Sequence, residues 1–154
     1  LEVRGPWVAK AYFGASQDPG KFTRDGWFRT GDVATIDGRG YVKLVDRTKD
    51  LVKSGGEWIS SVELENALMG HPAVREAAVI AVPHPKWGER PLAVVVLKPN
   101  AAAEPEELRA QLAGSFPKWW LPDGFAFVDE IPKTSAGKFL KSALRARFSS
   151  WDWG

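Results

Sequence analysis

The stretch SSVELENALMGHPAVREAAVIAV, residues 60–82, holds a helix start, a helix stop and a buried strand in succession. Ser60, with Glu63 three residues later, reads as a capping box, hydroxyl and carboxylate each positioned to take the other residue's N–H. Leu64, Ala67 and Leu68 then recur at helical spacing as one apolar stripe, and Gly70 with His71-Pro72 stops the helix. Val74 to Val82 is an apolar run with β-branched residues, and Leu92 to Leu97 is a second; both read as buried strands. Further on, Pro105 to Gly114 reads as a helix with proline in its first turn and Leu108 and Leu112 on one side. Phe125 to Ile131 alternates as a strand, and a last helix is predicted from Ala136 to Phe148 with Leu140, Leu144 and Phe148 on one face. The order βα-ββ-αβ-α from Leu51 onward defines an α+β module of about a hundred residues.

Upstream the pattern differs. Residues 1–46 read as short strands and turns, with a strand over Val8–Phe13, turn chemistry over Ser16–Gly20, and a hairpin whose arms, Val33–Ile36 and Tyr41–Val45, flank Asp37-Gly38-Arg39-Gly40. That stretch is too short to bury a core alone, so it is expected to belong to a sheet whose other strands lie elsewhere.

Composition narrows the chemistry. The 154 residues contain no cysteine, which excludes disulfides, thiolate metal sites and thiol nucleophiles. His71 and His84 are the only histidines, each near a proline with no nucleophile pattern beside it, and both read as structural. A net charge of +2 does not support a general nucleic-acid surface, and no apolar run reaches membrane-spanning length. With no initiator Met and no signal-peptide pattern, the expectation is a cytoplasmic piece of something longer, at most peripheral at membranes. The cations are local, however. Lys133, Lys138, Lys141, Arg145 and Arg147 lie in one acid-free run, and Arg39, Lys43, Arg47, Lys49 and Lys53 lie in a second with only Asp46 and Asp50 against them, which fits either a focused anion site or a solvated face.

Three stretches carry residues suited to chemistry. In Gly26-Trp27-Phe28-Arg29-Thr30-Gly31-Asp32, the terminal carboxylate can accept two hydrogen bonds from a vicinal diol, or can serve as a turn residue. In Asp46-Arg47-Thr48-Lys49-Asp50, alternating charges suit a hinge or a plain linker, and Gly55-Gly56 beyond it permits positive φ and close approach of a ligand. In Pro132-Lys133-Thr134-Ser135-Ala136-Gly137-Lys138, the glycine and hydroxyl residues of a phosphate-loop NTPase are missing at the required ends. What remains is a small-residue loop opening a helix, with Lys138 expected in the first turn, where it either converges on an anion or is simply exposed. Trp119-Trp120 reads as packing. Trp151-Asp152-Trp153 has no partner in the pattern and could dock on another domain.

In that order and at those spacings, Gly26–Asp32, Asp46–Glu65 and Pro132–Lys138 resemble the adenylate-forming enzymes, the superfamily of acyl-CoA ligases, firefly luciferases and nonribosomal peptide adenylation domains. The likeness covers essentially the whole chain, as the C-terminal portion of an acyl-CoA synthetase. Lys53-Ser54-Gly55-Gly56-Glu57-Trp58-Ile59-Ser60-Ser61 is most similar to the medium- and long-chain fatty-acid branch. The resemblance implies a β-rich remnant of a large N-terminal domain over 1–46, a hinge over 47–50 and a small lid domain over 51–154, built of a short hairpin and a roughly three-stranded sheet packed with helices. It implies a ligase that joins a fatty acid to AMP with ATP and passes the acyl group to CoA, with Mg2+ accompanying ATP on ligands outside this chain.

By the same resemblance Asp32 binds the ribose hydroxyls, Arg47 contacts the nucleotide, Lys49 is the hinge residue and Lys138 is the lysine that acts during adenylation. Gly55, Gly56, Glu57 and Trp58 face the site during thioester formation and line the CoA tunnel. No residue is assigned to a metal. Without the phosphate loop, the adenine motif and the acid pocket, the fragment alone is expected to be inactive. A ligase for an aromatic or short-chain acid, and a non-catalytic binding module with the lid fold, stand as the alternatives.

Overall fold

The computed structural model describes residues 1–9 and 20–154 and divides into two compact units, Leu1–Lys49 and Asp50–Gly154. The strand expected over Val8–Phe13 and the turn over Ser16–Gly20 lie almost wholly outside the described residues; Val8 itself closes a turn, its N–H donating to the Gly5 carbonyl at 3.1 Å.

The first unit consists of short antiparallel pairs. β1 (Glu2–Val3) pairs with β2 (Phe28–Arg29), and β3 (Asp32–Ile36) with β4 (Val42–Arg47). The loop between β3 and β4 is the expected Asp37–Gly40 turn. The Asp37 carboxylate accepts the N–H groups of Arg39 and Tyr41, each at 2.9 Å, a local bonding option that favours the turn over continued strand. Ile36, Tyr41, Val42 and Leu44 stay exposed, and Asp46 is the one buried residue among those described in this unit. A hairpin so thinly covered draws little stability from its own contacts.

The second unit contains β5 (Val52–Ser54), β6 (Glu57–Ile59), α1 (Ser61–Met69), β7 (Val74–His84), β8 (Gly88–Leu97), α2 (Pro105–Ala113), a 3-10 turn (Lys118–Trp120), β9 (Gly124–Phe127) and α3 (Lys141–Arg147). β7 and β8 pair antiparallel along almost their full length, and β9 joins β8 in parallel from Leu92↔Gly124 to Val95↔Phe127. The β5–β6 hairpin attaches to the start of β8 through Ser54↔Gly88. β8 therefore carries β7 along one edge, and β5 followed by β9 along the other.

The unbroken apolar runs are explained by cover on both faces of this sheet. Side chains alternate along a strand. Ala77, Val79, Ala93 and Val95 enter one core with Leu64 and Leu68 of α1 and Leu108 and Leu112 of α2. Ala78, Ile80, Val82, Leu92, Val94 and Val96 enter a second core with Ile131 and with Leu144 of α3. Ser60 caps α1 as its sequence predicts, its hydroxyl accepting the Glu63 N–H at 3.2 Å. Two features differ from the periodicity reading. The strand predicted to Ile131 ends at Phe127, although Ile131 is buried, and the helix predicted from Ala136 starts at Lys141.

The late start of α3 has a local cause. Residues 132–140 fold back as a closed loop, in which Lys133 bridges Phe139, the Thr134 N–H donates to the Lys138 carbonyl (2.8 Å) and the Leu140 N–H to the Pro132 carbonyl (2.7 Å). Gly137 sits at φ +77°, outside the right-handed helical region, so no helix can run through it.

The tryptophan tail also has its partner within this unit. Trp151 meets Phe148 edge-on, Trp153 donates its indole N–H to the Pro83 carbonyl at 2.8 Å, and both rings pack on the second core. The histidines close turns: Nδ1 of His71 accepts the Ala73 N–H, and Nδ1 of His84, the last residue of β7, accepts those of Lys86 and Trp87. Among the described residues no helix is long and apolar enough to cross a membrane.

Candidate functional site

In the first unit, β3–β4 pairing places Asp32 directly opposite Arg47, at the mouth of the hairpin. Arg47 Nε lies 3.2 Å from Asp32 Oδ1, and the guanidinium side chain is more than half exposed. Thr30 Oγ1 accepts the Asp32 N–H at 3.1 Å, and the Gly31 carbonyl accepts the Thr48 N–H at 2.9 Å, which fixes both ends of the pair. A carboxylate acceptor beside a fork of donors can hold a hydroxylated group bearing an anionic neighbour. Lys49 follows one turn later, exposed, as the last residue of this unit. Asp50, the first residue of the second unit, is held there by Arg145 Nη1 of α3 at 2.9 Å.

In the second unit, Gly55 and Gly56 form the two-residue turn between β5 and β6, with φ of +58° and +94°. Tight hairpins of the I′ type need positive φ at both central positions, which is the physical reason for a Gly-Gly pair here. The Gly55 N–H donates to the Trp87 carbonyl at 2.9 Å, and a Cβ on Gly55 would stand 3.2 Å from the Trp87 ring. Glu57 and Trp58 follow the turn exposed, with Lys53 Nζ over the Trp58 ring at 5.4 Å.

Beside the turn is a cavity of about 570 Å³, lined by Ser54, Gly55, Glu57, Trp87, Arg90, Trp119 and Asp123. Its size is that of a small-molecule site. Of the four residues assigned to the CoA loop, Gly55 and Glu57 line it.

Lys138 belongs to the other loop. It lies in the closed turn 132–140, exposed, and does not line that cavity. Its position is held from the backbone, its N–H donating to Thr134 Oγ1 at 3.2 Å and its carbonyl accepting from Thr134. The expectation that it opposes a helix dipole from the first turn of the last helix fails, because that helix begins three residues later. Among the described residues, no group of three or more His, Cys, Asp or Glu could hold a metal ion.

Sequence reading missed Trp87, Arg90, Trp119 and Asp123. Arg90 stands between Glu89 and Pro91 at the head of an apolar run, and an arginine buried in such a run was the available signal. The Trp119-Trp120 pair divides its work: Trp120 stacks on Phe116 at 5.6 Å and joins the first core, while Trp119 is 43% exposed at the cavity.

The second unit is thus a two-sided α/β/α domain with a glycine turn and a lysine loop, and the first holds a hairpin that ends in a carboxylate–guanidinium pair. The family model for the AMP-binding enzyme C-terminal domain matches residues 63–138. A long-chain-fatty-acid–CoA ligase of Thermus thermophilus is 56% identical over 100% of this chain, and a 3-methylmercaptopropionyl-CoA ligase of Ruegeria pomeroyi is 51% identical over 96% of it. The chain spans 29% and 27% of the length of those relatives. The crystal structure of ATP-bound MatB from Rhodopseudomonas palustris superposes with a TM-score of 0.90 at 38% identity, over 97% of this chain and 30% of that one. The chain belongs to the adenylate-forming superfamily, of which it carries the C-terminal domain.

Proposed function

We propose that this chain is the C-terminal part of an AMP-forming acid–thiol ligase with a fatty acid as substrate. In the first half-reaction a carboxylate oxygen attacks the α-phosphorus of ATP and pyrophosphate leaves. In the second, the CoA sulfur attacks the acyl carbon, the thiol proton is lost and AMP leaves. Asp32 accepts the ribose hydroxyls, with Arg47 beside it on the nucleotide. Lys138 places its ammonium where negative charge gathers between acyl oxygen and α-phosphate, the kind of preorganised charge that lowers such a barrier. Lys49 is the pivot of a hinge over 47–50, between a remnant of the large domain over 1–46 and a lid over 51–154. The Gly55–Trp58 loop faces the site for thiol attack and forms one wall of the CoA path. Mg2+ would accompany ATP in the complete enzyme and offset phosphate charge, held by residues outside this chain. The protein works in the cytoplasm.

The observation that carries this reading is the placement of the two loops in the second unit. The β5–β6 hairpin anchors through Val52 and Ile59 in the core on one face of the sheet, whereas the lysine loop anchors through Phe139 and Ile131 in the core on the other. A body with a working loop on each side can serve two steps in turn by rotating, and a group that must leave before the thiol enters is well carried on such a lid.

The test is pyrophosphate release by the complete ligase across a panel of carboxylic acids, followed by CoA thioester formation. Turnover confined to medium and long chains supports the fatty-acid reading. Preference for a short or aromatic acid would replace it with the second reading, which the near-equal similarity to a 3-methylmercaptopropionyl-CoA ligase favours. No pyrophosphate release with any acid would leave a binding module.

A further inference from the structure

Arg90 is a heavily committed side chain of the second unit. It is 7% exposed, and all five of its guanidinium N–H groups have acceptors. Nε donates to Asp123 Oδ2 at 2.5 Å and Nη2 to Asp123 Oδ1 at 2.9 Å, a two-pronged grip on one carboxylate. The remaining donors reach Ser54 Oγ (2.9 Å), the Trp119 carbonyl (2.7 Å) and the Leu121 carbonyl (2.9 Å). These acceptors come from separate segments: the end of β5, the 3-10 turn, and the approach to β9.

The topology makes this grip consequential. β5 meets β8 at Gly88 only, and β9 meets it from Leu92 onward, so the shared edge of β8 between those points holds no strand. Arg90 fills that interval and ties the two sides together. Ser54 immediately precedes the Gly55-Gly56 turn, and Trp119 forms the facing wall of the cavity. With every donor used internally, the guanidinium has none left for a phosphate or carboxylate of a ligand, so it must act through the walls it holds.

We infer that Arg90 is a positioning residue for thioester formation, setting the distance between the Gly55-Gly56 turn and the Trp119 wall so that the cavity accepts the thiol substrate. The inference rests on the proposed role of the Gly55–Trp58 loop in the CoA step. It separates Arg90 from Lys138: disturbing Arg90 affects CoA use and leaves adenylation alone.

The experiment uses the complete ligase, with CoA as the probe and the two half-reactions measured apart, acyl-AMP formation by pyrophosphate release and thioester formation from supplied acyl-AMP. Ser54→Ala removes one acceptor of Arg90 and leaves the buried ion pair with Asp123 intact. It should raise the KM for CoA by about tenfold or more, the scale of a lost hydrogen bond to a charged group, at the parent's adenylation rate. Arg90→Lys, which keeps the charge but loses the fork, should act in the same direction and more strongly. If Ser54→Ala leaves the KM for CoA unchanged, or if both half-reactions fall together with the melting temperature, Arg90 is merely structural and the inference is overturned. Gly55→Ala separates that failure from failure of the underlying reading, since it strains the turn itself against Trp87. A thioester step damaged by Gly55→Ala but untouched by Ser54→Ala sinks the role of Arg90 alone. A thioester step indifferent to both sinks the assignment of the loop as well.

Discussion

The lysine loop, residues 132–140, and helix α3, which follows it at once, place two lysines three positions apart in one basic run and use them in opposite ways. Lys141 is drawn inward. Its side chain is 11% exposed, Nζ lies 2.6 Å from Glu65 Oε1 and donates to Ser61 Oγ at 2.7 Å, and the same Glu65 oxygen accepts the Val79 N–H at 2.7 Å. Lys138 is held through its backbone, with no side-chain bond among the described residues, and it lies exposed in its loop. A charge that the fold has consumed is structural, and one that the fold has positioned without using is available for chemistry. Neighbouring cations of one run therefore have to be judged one at a time.

The largest expected effect breaks the structural half of this contrast. Lys141→Ala leaves Glu65 as a buried carboxylate without its cation, and removing one partner of a buried pair costs about 3–5 kcal/mol. Thermal unfolding of the chain should show a fall in melting temperature of at least about 10 °C for a domain of this size. A melting temperature within the error of the parent would mean that the Glu65–Lys141 pair contributes nothing. Lys141→Ala is for this reason no neutral control for Lys138.

Next is the catalytic half. Lys138→Ala in the complete ligase should reduce acyl-AMP formation by about 10²–10³, as for loss of one preorganised donor. The melting temperature should hold, and thioester formation from supplied acyl-AMP should change far less. If Lys138→Ala spares adenylation, the exposed ammonium is only part of a solvated face.

The smallest effect sharpens the contrast within the loop itself. Lys133 shares the loop with Lys138, but its charge is committed to Glu76 at 2.6 Å, in a pair that is partly solvent-exposed. Pairs of this kind contribute about 0–1 kcal/mol, so Lys133→Ala should nearly preserve both stability and adenylation. Equal loss of adenylation in Lys133→Ala and Lys138→Ala would show that the loop acts by net charge rather than by one placed ammonium.

What the sequence made legible follows from the range of the interactions involved. Ser60 with Glu63, the Asp37–Gly40 turn and the apolar runs of β7 and β8 are set by neighbours a few residues apart, and each reads directly. The start of α3 does not, because Leu140, Leu144 and Phe148 keep helical spacing while the positive φ of Gly137 forbids the first turn. Leu140, expected on the buried face, is 38% exposed as a result. Among the site residues, Asp32 and Arg47 are recognisable by resemblance, yet their pairing appears only once β3 and β4 are in register. Arg90 stands out as an arginine in an apolar run, but its partners do not: Ser54 and Asp123 lie 36 and 33 residues away along the chain, and nothing local predicts that one guanidinium meets both.

β7 is the outermost strand of its sheet, eleven residues long and almost wholly apolar over Ala77–Val82. An uncovered edge of that kind is a template on which a second copy can add a strand. The Glu65 carboxylate on the Val79 N–H, fastened by Lys141, occupies a bonding position that an incoming strand would need. The pair thus blocks strand addition at that position as well as supporting the fold. Lys141→Ala protein warmed to partial unfolding should gather into β-rich aggregates at concentrations where Lys138→Ala protein stays dispersed, because only the former has lost the cation that fastens the guard on its edge.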